Sequence, residues 1–296
     1  MEKKLLLVVN PQAGVLRARR ELLGIVKTLS DADFSVQVYT TRDRKDASAY
    51  VEAHANEFDL IAACGGDGTV NETISGAIRA NFGGVIGVLP CGTTNDLAIS
   101  LNLPRNVPKA SRLIAEGNAK FLDMGAFHTD TYFTYVASFG AFTEVAYSTD
   151  QKSKNLFGPL AYLAEGLVSL ADIKPYRMRV ACNGEVYEDD FIFGAVLNAL
   201  SVGGIMKLRK SDVSLADGKH EVLLIRNPKT AAELAMIFRD IMAGVFNGTG
   251  ILLLHTDKVR FECAEKVAWT VDGEYAGALE KVEIRTLHNK LKIVRP

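Results

Sequence analysis

Cys64-Gly65-Gly66-Asp67-Gly68-Thr69-Val70-Asn71-Glu72 follows a short, mostly apolar stretch, Phe58 to Ala63, and leads into a segment, Val70 to Ile78, that can form a helix. The run predicts a buried strand, so the nonapeptide reads as a strand–turn–helix corner. Gly65, Gly66 and Gly68 let the backbone approach a ligand closely or turn through dihedrals that other residues avoid. Thr69 is expected at the helix start, where unpaired N–H groups and the dipole favour an anion. Asp67 places a carboxylate in the same turn, where it repels phosphate unless a metal or a transferable proton stands between them. The combination points to phosphate chemistry with magnesium. An αβ corner carrying one solubilising acid is the alternative.

Upstream, Leu5-Leu6-Leu7-Val8-Val9 is continuously apolar, as a central parallel strand covered on both faces requires. It ends in Asn10-Pro11-Gln12-Ala13-Gly14. Residues 16 to 30 predict a helix whose apolar stripe is Leu16, Leu23, Val26 and Leu29. Phe34 to Tyr39 alternates like a strand and meets Thr40-Thr41, and Asp46 to Asn56 predicts a second helix. Downstream, the strand Val85 to Leu89 leads into Pro90-Cys91-Gly92-Thr93-Thr94-Asn95-Asp96. This βαβαβαβ succession predicts an open, mostly parallel sheet. Its ligand loops share one rim: Asn10–Gly14, Thr40–Thr41, Gly65–Glu72 and Gly92–Asp96.

The pattern changes near Asp123. Strand-like runs cover Tyr132–Ser138, Arg177–Cys182, Phe191–Asn198, Glu221–Ile225, Ile251–His255, Lys258–Cys263, Val267–Val271 and Val282–Thr286. They predict a second, mainly antiparallel domain interrupted by helices at Phe157–Leu170 and Lys229–Ala243. The strand Leu291–Val294 can pair in either domain. No internal repeat or low-complexity linker separates the two, so close coupling is expected.

A formal net charge of -1 over 296 residues provides no global field toward nucleic acid or an anionic membrane. The first 45 residues differ, with nine Lys/Arg against five Asp/Glu. The cluster at Arg17, Arg19, Arg20 and that at Arg42, Arg44, Lys45 read as solvated faces or as contacts for polyphosphate or lipid headgroups. The four cysteines have no metal-ligand spacing and are expected to be reduced. Cys91, beside a glycine-rich loop, has no neighbouring histidine and reads as a small apolar filler. Neither a signal-type leader nor a run of roughly 18–20 apolar residues is apparent. A lipid substrate would therefore be met by visiting the membrane. His54, His128, His220, His255 and His288 show no metal spacing.

Asp272-Gly273-Glu274 follows the strand Trp269-Thr270-Val271 and is either a hairpin turn or a pair of working carboxylates. One would take a proton from an attacking hydroxyl and the other would serve a metal. Asn95-Asp96 either caps a helix near Leu97 or directs Asp96 to a metal-bound water while Thr93 holds phosphate. Asp212, Ser214 and Asp217-Gly218 form an oxygen-rich loop suited to a structural divalent ion or to a surface turn. Neither Gly-x-x-x-x-Gly-Lys-Ser/Thr nor Gly-x-Gly-x-x-Gly occurs at a first strand, which argues against ordinary P-loop and hydride-transfer enzymes.

Taken jointly and in order, Asn10-Pro-x-x-Gly14, Gly65-Gly-Asp-Gly-Thr-x-Asn-Glu72, Gly92-Thr-Thr-Asn-Asp96 and Asp272-Gly-Glu274 resemble the diacylglycerol kinase catalytic-domain family. The likeness is to the soluble bacterial diacylglycerol kinases and extends over nearly the whole chain. It implies a two-domain lipid kinase/NAD kinase-like fold. An open α/β nucleotide-binding domain would span 1–123 plus 287–296, and an antiparallel β-sandwich domain 124–286. It implies ATP contacts at Asn10, Pro11, Gln12, Ala13, Gly14, Thr41, Gly66, Asp67, Gly68, Thr69, Val70, Asn71, Glu72 and Thr93. Asp272 would be the general base, and Asp67, Asp96 and Glu274 a water-mediated network around the nucleotide's Mg2+. Ser214, Asp217 and the Lys219 carbonyl would hold a structural Mg2+. The implied reaction is ATP-dependent phosphorylation of membrane-borne 1,2-diacyl-sn-glycerol to phosphatidic acid by a cytoplasmic enzyme with transient, peripheral contact at the inner membrane face. Nucleic acid is not an expected partner; a homodimer would protect sheet edges.

The sequence departs from the bacterial pattern at Lys207-Leu208-Arg209-Lys210-Ser211-Asp212, which lacks the proline of Lys-Leu-Ala-Pro-Asp and is one residue longer. Cys91 replaces a common apolar residue. Leu156-Phe157, Leu160, Tyr162-Leu163 and Leu167 are candidates for acyl-chain lining or for core packing. Other lipid alcohols (phosphatidylglycerol, polyprenols, sphingoid bases) remain alternative acceptors. NAD kinases share Gly-Gly-Asp-Gly-Thr but not Gly92-Thr-Thr-Asn-Asp96, and the four retained acids disfavour a catalytically silent regulator.

Overall fold

Apolar runs alternating with amphipathic segments become a parallel sheet flanked by helices in the computed structural model, which describes residues 3–14, 16–128, 130–140, 173–198, 201–202, 206–207, 215–246 and 248–296. The chain divides into two units, Met1–Leu122 with Asn289–Pro296, and Asp123–His288.

The first unit contains β1 (Lys3–Val9), α1 (Arg17–Ser30), β2 (Phe34–Thr40), α2 (Asp46–His54), β3 (Leu60–Gly65), α3 (Asp67–Arg79), β4 (Val85–Pro90), α4 (Asp96–Ser100) and α5 (Val107–Glu116). The strand order is β4-β3-β1-β2, all parallel, and residues 292–293 pair in parallel with the outer side of β4. Leu5, Leu6 and Leu7 are all inaccessible, as burial of both sheet faces demands. One face carries Leu5, Leu7 and Val9 against Ala18, Ile25 and Leu29 of α1 and Val107, Ala110 and Ile114 of α5.

The expected stripe of α1 is therefore corrected. Leu29 faces the core and Val26 is half-buried against it, but Leu16 and Leu23 are exposed, and Ala18 and Ile25 take the inward positions. Small Ala18 lets the helix approach the sheet, a feature that a search for large apolar residues overlooks. Helix α5 was absent from the expectations although its signals are local. Asn106 accepts the Lys109 N–H at 3.0 Å, Pro108 stands in the first turn, and Gly117 closes the helix with φ 75°.

Chain exit from the first unit runs through β5 (Ala119–Phe127). The second unit then contains β6 (Thr131–Phe133), β7 (Val136–Gly140), β8 (Tyr176–Cys182), β9 (Glu185–Leu197), the two-residue strands β10 (Ser201–Val202) and β11 (Met206–Lys207), and β12 (His220–Arg226). There follow α6 (Ala231–Met242), β13 (Ile251–Thr256), β14 (Lys258–Val271) and β15 (Glu274–Val294), whose end lies in the first unit. The long strands β9 and β14 each pair antiparallel with β8 over one half and with β7 over the other. Trp269, Phe139 and Phe261 fill the resulting core, with ring centroids 4.8–5.9 Å apart.

Two expected strand pairs are in fact continuous. Lys258–Val271 is one strand whose pairing with β15 shifts between Glu262 and Val267, and Val282–Thr286 and Leu291–Val294 belong to one strand. Conversely, Tyr132–Ser138 is broken at Thr134-Tyr135. The expected helix at Phe157–Leu170 lies outside the described residues.

Candidate active site

The four loops expected on one rim of the parallel sheet are tied to one another. Asn10 donates its backbone N–H to the Cys64 carbonyl at 3.0 Å and its Nδ2 to Thr69 Oγ1 at 3.2 Å. Its Oδ1 accepts the Gln12 N–H at 2.9 Å, which turns the Pro11–Ala13 backbone. Thr41 donates to the Val9 carbonyl at 2.9 Å. Glycine is required at two contacts. Gly14 has φ 57°, and a Cβ there would lie 1.8 Å from the Cys91 carbonyl oxygen; one on Gly92 would lie 2.5 Å from Gly66 Cα. The glycine loops thus touch backbone to backbone, which explains their composition independently of any ligand.

Helix α3 starts earlier than Val70. Gly66 is its N-cap and Asp67 its first residue, so Thr69 lies within the first turn and is buried, its hydroxyl engaged by Asn10. Val70 is buried too. The helix still opens toward the loops with amides that lack intrahelical acceptors.

Asp67 Oδ2 accepts the Asn95 N–H at 2.8 Å, and the amides of Asp96 and Leu97 also point to this carboxylate. The Asp67 side chain therefore caps α4. Burial pushes its carboxyl pKa up and these amides oppose the rise. Capping of that helix by Asn95-Asp96 was one of two readings; Asn95 does stand at the N-cap position, but its φ is 56° and its amide makes no cap bond and brackets Gly92, accepting from the Gly92 N–H at 2.9 Å and donating to the Gly92 carbonyl at 2.8 Å. Asp96 follows, half-buried, and Thr93 is exposed.

Glu72 Oε1 accepts the Lys45 N–H at 2.8 Å, fixing the loop that begins at Thr41. Asn71 Oδ1 accepts from Ser75 Oγ at 3.3 Å. Beneath the glycine loops, Cys64 and Cys91 are free, buried thiols with sulfurs 3.3 Å apart. The hydrogen bond between them pushes the Cys64 thiol up and pulls that of Cys91 down.

In the second unit, Asp272 and Gly273 form a two-residue hairpin with φ 47° and 80° between paired Val271 and Glu274. The hairpin-turn reading holds, and the carboxylate folds back onto the break between β6 and β7. Oδ2 accepts the Thr134 N–H and hydroxyl, each at 2.8 Å; Oδ1 accepts the N–H groups of Tyr135 at 3.1 Å and Val136 at 3.0 Å. Enclosure raises the Asp272 carboxyl pKa, against these donors. Glu274 is exposed at the start of β15. The donors at Thr134–Val136 escape sequence reading because three of the four are backbone groups.

The expected structural-metal residues meet only in part. Asp217 Oδ1 accepts the Lys219 N–H at 3.0 Å and its Oδ2 lies 3.3 Å from His255 Nε2. Ser214 is outside the described residues. Fully buried Asp123, not foreseen as a site residue, anchors this turn by accepting the Gly218 N–H at 2.6 Å and binding His288 at 3.0 Å. Among the described residues no group of three His, Cys, Asp or Glu side chains converges as a metal site. The hard oxygen donors still suit magnesium held largely through water and nucleotide phosphates, its usual mode.

Comparison with known proteins accounts for the arrangement. The model of the diacylglycerol kinase catalytic domain matches residues 4–127, and that of the YegS C-terminal NAD kinase beta sandwich-like domain matches residues 136–295. A diacylglycerol kinase of Bacillus subtilis is 30% identical over 99% of this chain and 97% of its own length. The chain belongs to the bacterial diacylglycerol kinase family. A Staphylococcus aureus family member is likewise 30% identical, over 94% of this chain and 88% of its own. The crystal structure of a candidate diacylglycerol kinase from Bacillus anthracis is 25% identical, covers 99% of this chain and 95% of its own, and superposes with a TM-score of 0.85. Family membership includes the two-part architecture, an α/β catalytic domain followed by a β-sandwich-like domain.

Proposed function

We propose that this kinase transfers the γ-phosphate of ATP to the primary hydroxyl of 1,2-diacyl-sn-glycerol, giving phosphatidic acid and ADP. The observation that carries the reading is the Asp272 carboxylate, held by four donors in a chain related to a diacylglycerol kinase along its whole length. Four hydrogen bonds fix the carboxylate's position while burial keeps it basic enough to accept a proton. As the lipid O–H bond breaks, the proton passes to Asp272. The O–Pγ bond forms and the bond from Pγ to the bridging oxygen breaks, leaving ADP. In a loose transition state, orienting the hydroxyl matters more than full deprotonation, which suits a rigidly held acid.

The loops at Asn10–Gly14, Thr41, Gly66–Glu72 and Thr93 are assigned to ATP, with the opening amides of α3 toward phosphate. Asp96 and Glu274 would hold Mg2+ through water, and Asp67 contributes by holding the Asn95–Leu97 backbone. Bound magnesium supplies neutralisation of phosphate charge. Asp217 and the Lys219 carbonyl are assigned to a second, structural cation. No helix among the described residues is long and apolar enough to cross a membrane, and we place the enzyme at the cytoplasmic membrane face, where its acceptor resides.

The test is incubation with magnesium and labelled ATP across detergent-dispersed diacylglycerol, phosphatidylglycerol, undecaprenol, a sphingoid alcohol and NAD. Labelled phosphatidic acid, lost in Asp272→Asn, is expected. Preferential labelling of another acceptor would overturn the substrate, and undiminished turnover in folded Asp272→Asn would overturn the base.

A further inference from the structure

Three consecutive amides, those of Thr134, Tyr135 and Val136, point at the Asp272 carboxylate, and one residue holds two of them from the far side. An N–H and the C=O of the preceding residue belong to one rigid plane. The plane that offers the Tyr135 N–H to Asp272 Oδ1 at 3.1 Å carries the Thr134 carbonyl; the plane that offers the Val136 N–H at 3.0 Å carries the Tyr135 carbonyl. Asn198, the residue after β9, reaches both carbonyls. Its backbone N–H donates to the Tyr135 carbonyl at 2.9 Å, and its Nδ2 donates to the Thr134 carbonyl in a longer contact of 3.5 Å.

Asn198 is itself fixed. It is buried, and its Nδ2 makes a shorter bond, 2.5 Å, to the Asp123 carbonyl. Two carbonyls facing one end of the amide require that end to be the nitrogen, because the amide oxygen only accepts. Asp123 is pinned in turn: its carboxylate accepts the Gly218 N–H at 2.6 Å and binds His288 at 3.0 Å. The Asn198 side chain thus bridges β5 to the break at Thr134-Tyr135, which lies between the end of β6 and the start of β7.

We propose that Asn198 is a positioning residue for phosphoryl transfer: by binding the Thr134 and Tyr135 carbonyls it aims the Tyr135 and Val136 N–H groups at Asp272 and keeps that carboxylate oriented toward the acceptor hydroxyl. The proposal rests on the general-base reading of Asp272, whereas the hold of Asn198 on the two peptide planes does not. A planar peptide cannot turn its N–H without swinging its C=O, so holding the two carbonyls holds the two amides. Donation into a carbonyl also polarises its peptide and strengthens the bond made by the N–H beyond it, by roughly 10–30% per bond. An apolar side chain at position 198 would leave the Asp123 and Thr134 carbonyls without this donor, a loss that is costly in a buried site.

The experiment compares wild type, Asn198→Ala, Asn198→Ser, Asp272→Asn and the double variant Asn198→Ala/Asp272→Asn in two readouts. One is steady-state kinetics with magnesium, ATP and detergent-dispersed diacylglycerol. The other is the titration of the Asp272 carboxyl by carbon NMR, its signal assigned by its absence in Asp272→Asn. Asn198→Ala is expected to lower kcat roughly ten- to a hundred-fold, as a misplaced reacting group does, with the KM for ATP retained. Weaker donors favour the protonated acid, so its carboxyl midpoint should rise by about half a pH unit. Asn198→Ser keeps a hydroxyl donor and should fall between the two. In the Asp272→Asn background, Asn198→Ala should cost no further kcat, because the two residues act as a unit. Wild-type kcat with an unmoved midpoint in Asn198→Ala, or a fully additive loss in the double variant, would overturn the proposal. Should Asn198→Ala fail to fold, the same wild-type pair of values in Asn198→Ser would overturn it. A raised midpoint in Asn198→Ala, alongside undiminished turnover in Asp272→Asn, would sustain the hold on the carboxylate and instead sink the base reading.

Discussion

Thr134 binds Asp272 Oδ2 twice, through its backbone N–H and through its hydroxyl, each at 2.8 Å. Unlike the Thr134, Tyr135 and Val136 amides, the hydroxyl is a side-chain donor, so it can be removed without disturbing the backbone. A hydrogen bond to a charged group is worth about 1.5–3 kcal/mol. Thr134→Val is expected to lower kcat by roughly ten- to a hundred-fold with little change in KM for ATP. The lost donor stabilised the ionised form, so the carboxyl pKa rises. Activity requires the unprotonated acid, and the acid limb of kcat should move to higher pH. An unchanged limb would show that the hydroxyl only supports the fold.

Asp67 and Asp96, neighbours in the expected magnesium network, should behave differently. Asp67 serves the amides of α4's first turn, and its removal leaves those donors without their acceptor. Asp67→Ala is expected to lower both ATP affinity and the urea midpoint, whereas Asp96→Ala should lower turnover with the midpoint retained. Equal loss of stability in the two would contradict this division.

Gly14 tolerates no side chain. Its φ of 57° and the Cys91 carbonyl 1.8 Å from a Cβ position require loop movement in Gly14→Ala. Left-handed strain alone costs about 1–3 kcal/mol at such positions. The urea midpoint should fall and ATP affinity should drop at least tenfold. Gly24→Ala in α1, where a Cβ meets nothing within 4 Å, is the control and should stabilise slightly.

His220 predicts acid sensitivity. It is buried, its Nε2 has no hydrogen-bond partner among the described residues, and burial pulls its pKa down to about 3, assisted by His255. Between that value and the unfolded value of about 6.5, the unfolded chain holds a proton that the folded chain does not. The stability associated with neutral His220 is fully present above pH 6.5 and is lost as pH falls toward 3. His220→Phe should flatten the decline in urea midpoint from pH 7 to pH 5. The same slope in the variant would assign the acid sensitivity to other groups.

The parallel sheet was legible because Leu5–Val9 and Leu60–Ala63 are uninterrupted apolar runs, and because glycine loops recur at their ends. The start of α3 was not. Gly68 is a poor helix residue, and only capping by Gly66 shows that Asp67 already belongs to the helix. The polar segment around Glu265-Lys266 resembled a loop and hid the continuity of β14, since it lies where pairing with β15 shifts. Asp272 was singled out by its motif, but its anchors were not, because amides contributed by a strand break have no residue signature. Leu16 and Leu23 misled for the opposite reason: hydrophobicity was counted without knowing which side of α1 the small Ala18 would turn inward.

The parallel pairing of Lys292-Ile293 with Val85-Ile86 has a consequence for the order of synthesis. A ribosome makes β4 and then all of Asp123–His288 before it makes the strand that covers the outer side of β4. Arg295, which donates to the Asn118 carbonyl, arrives equally late. The nascent first unit must wait with one sheet edge unpaired, the arrangement most open to wrong partners. Trimming at residue 289 would accordingly injure the unit encoded first, leaving the neighbouring sequence of Asp123–His288 whole.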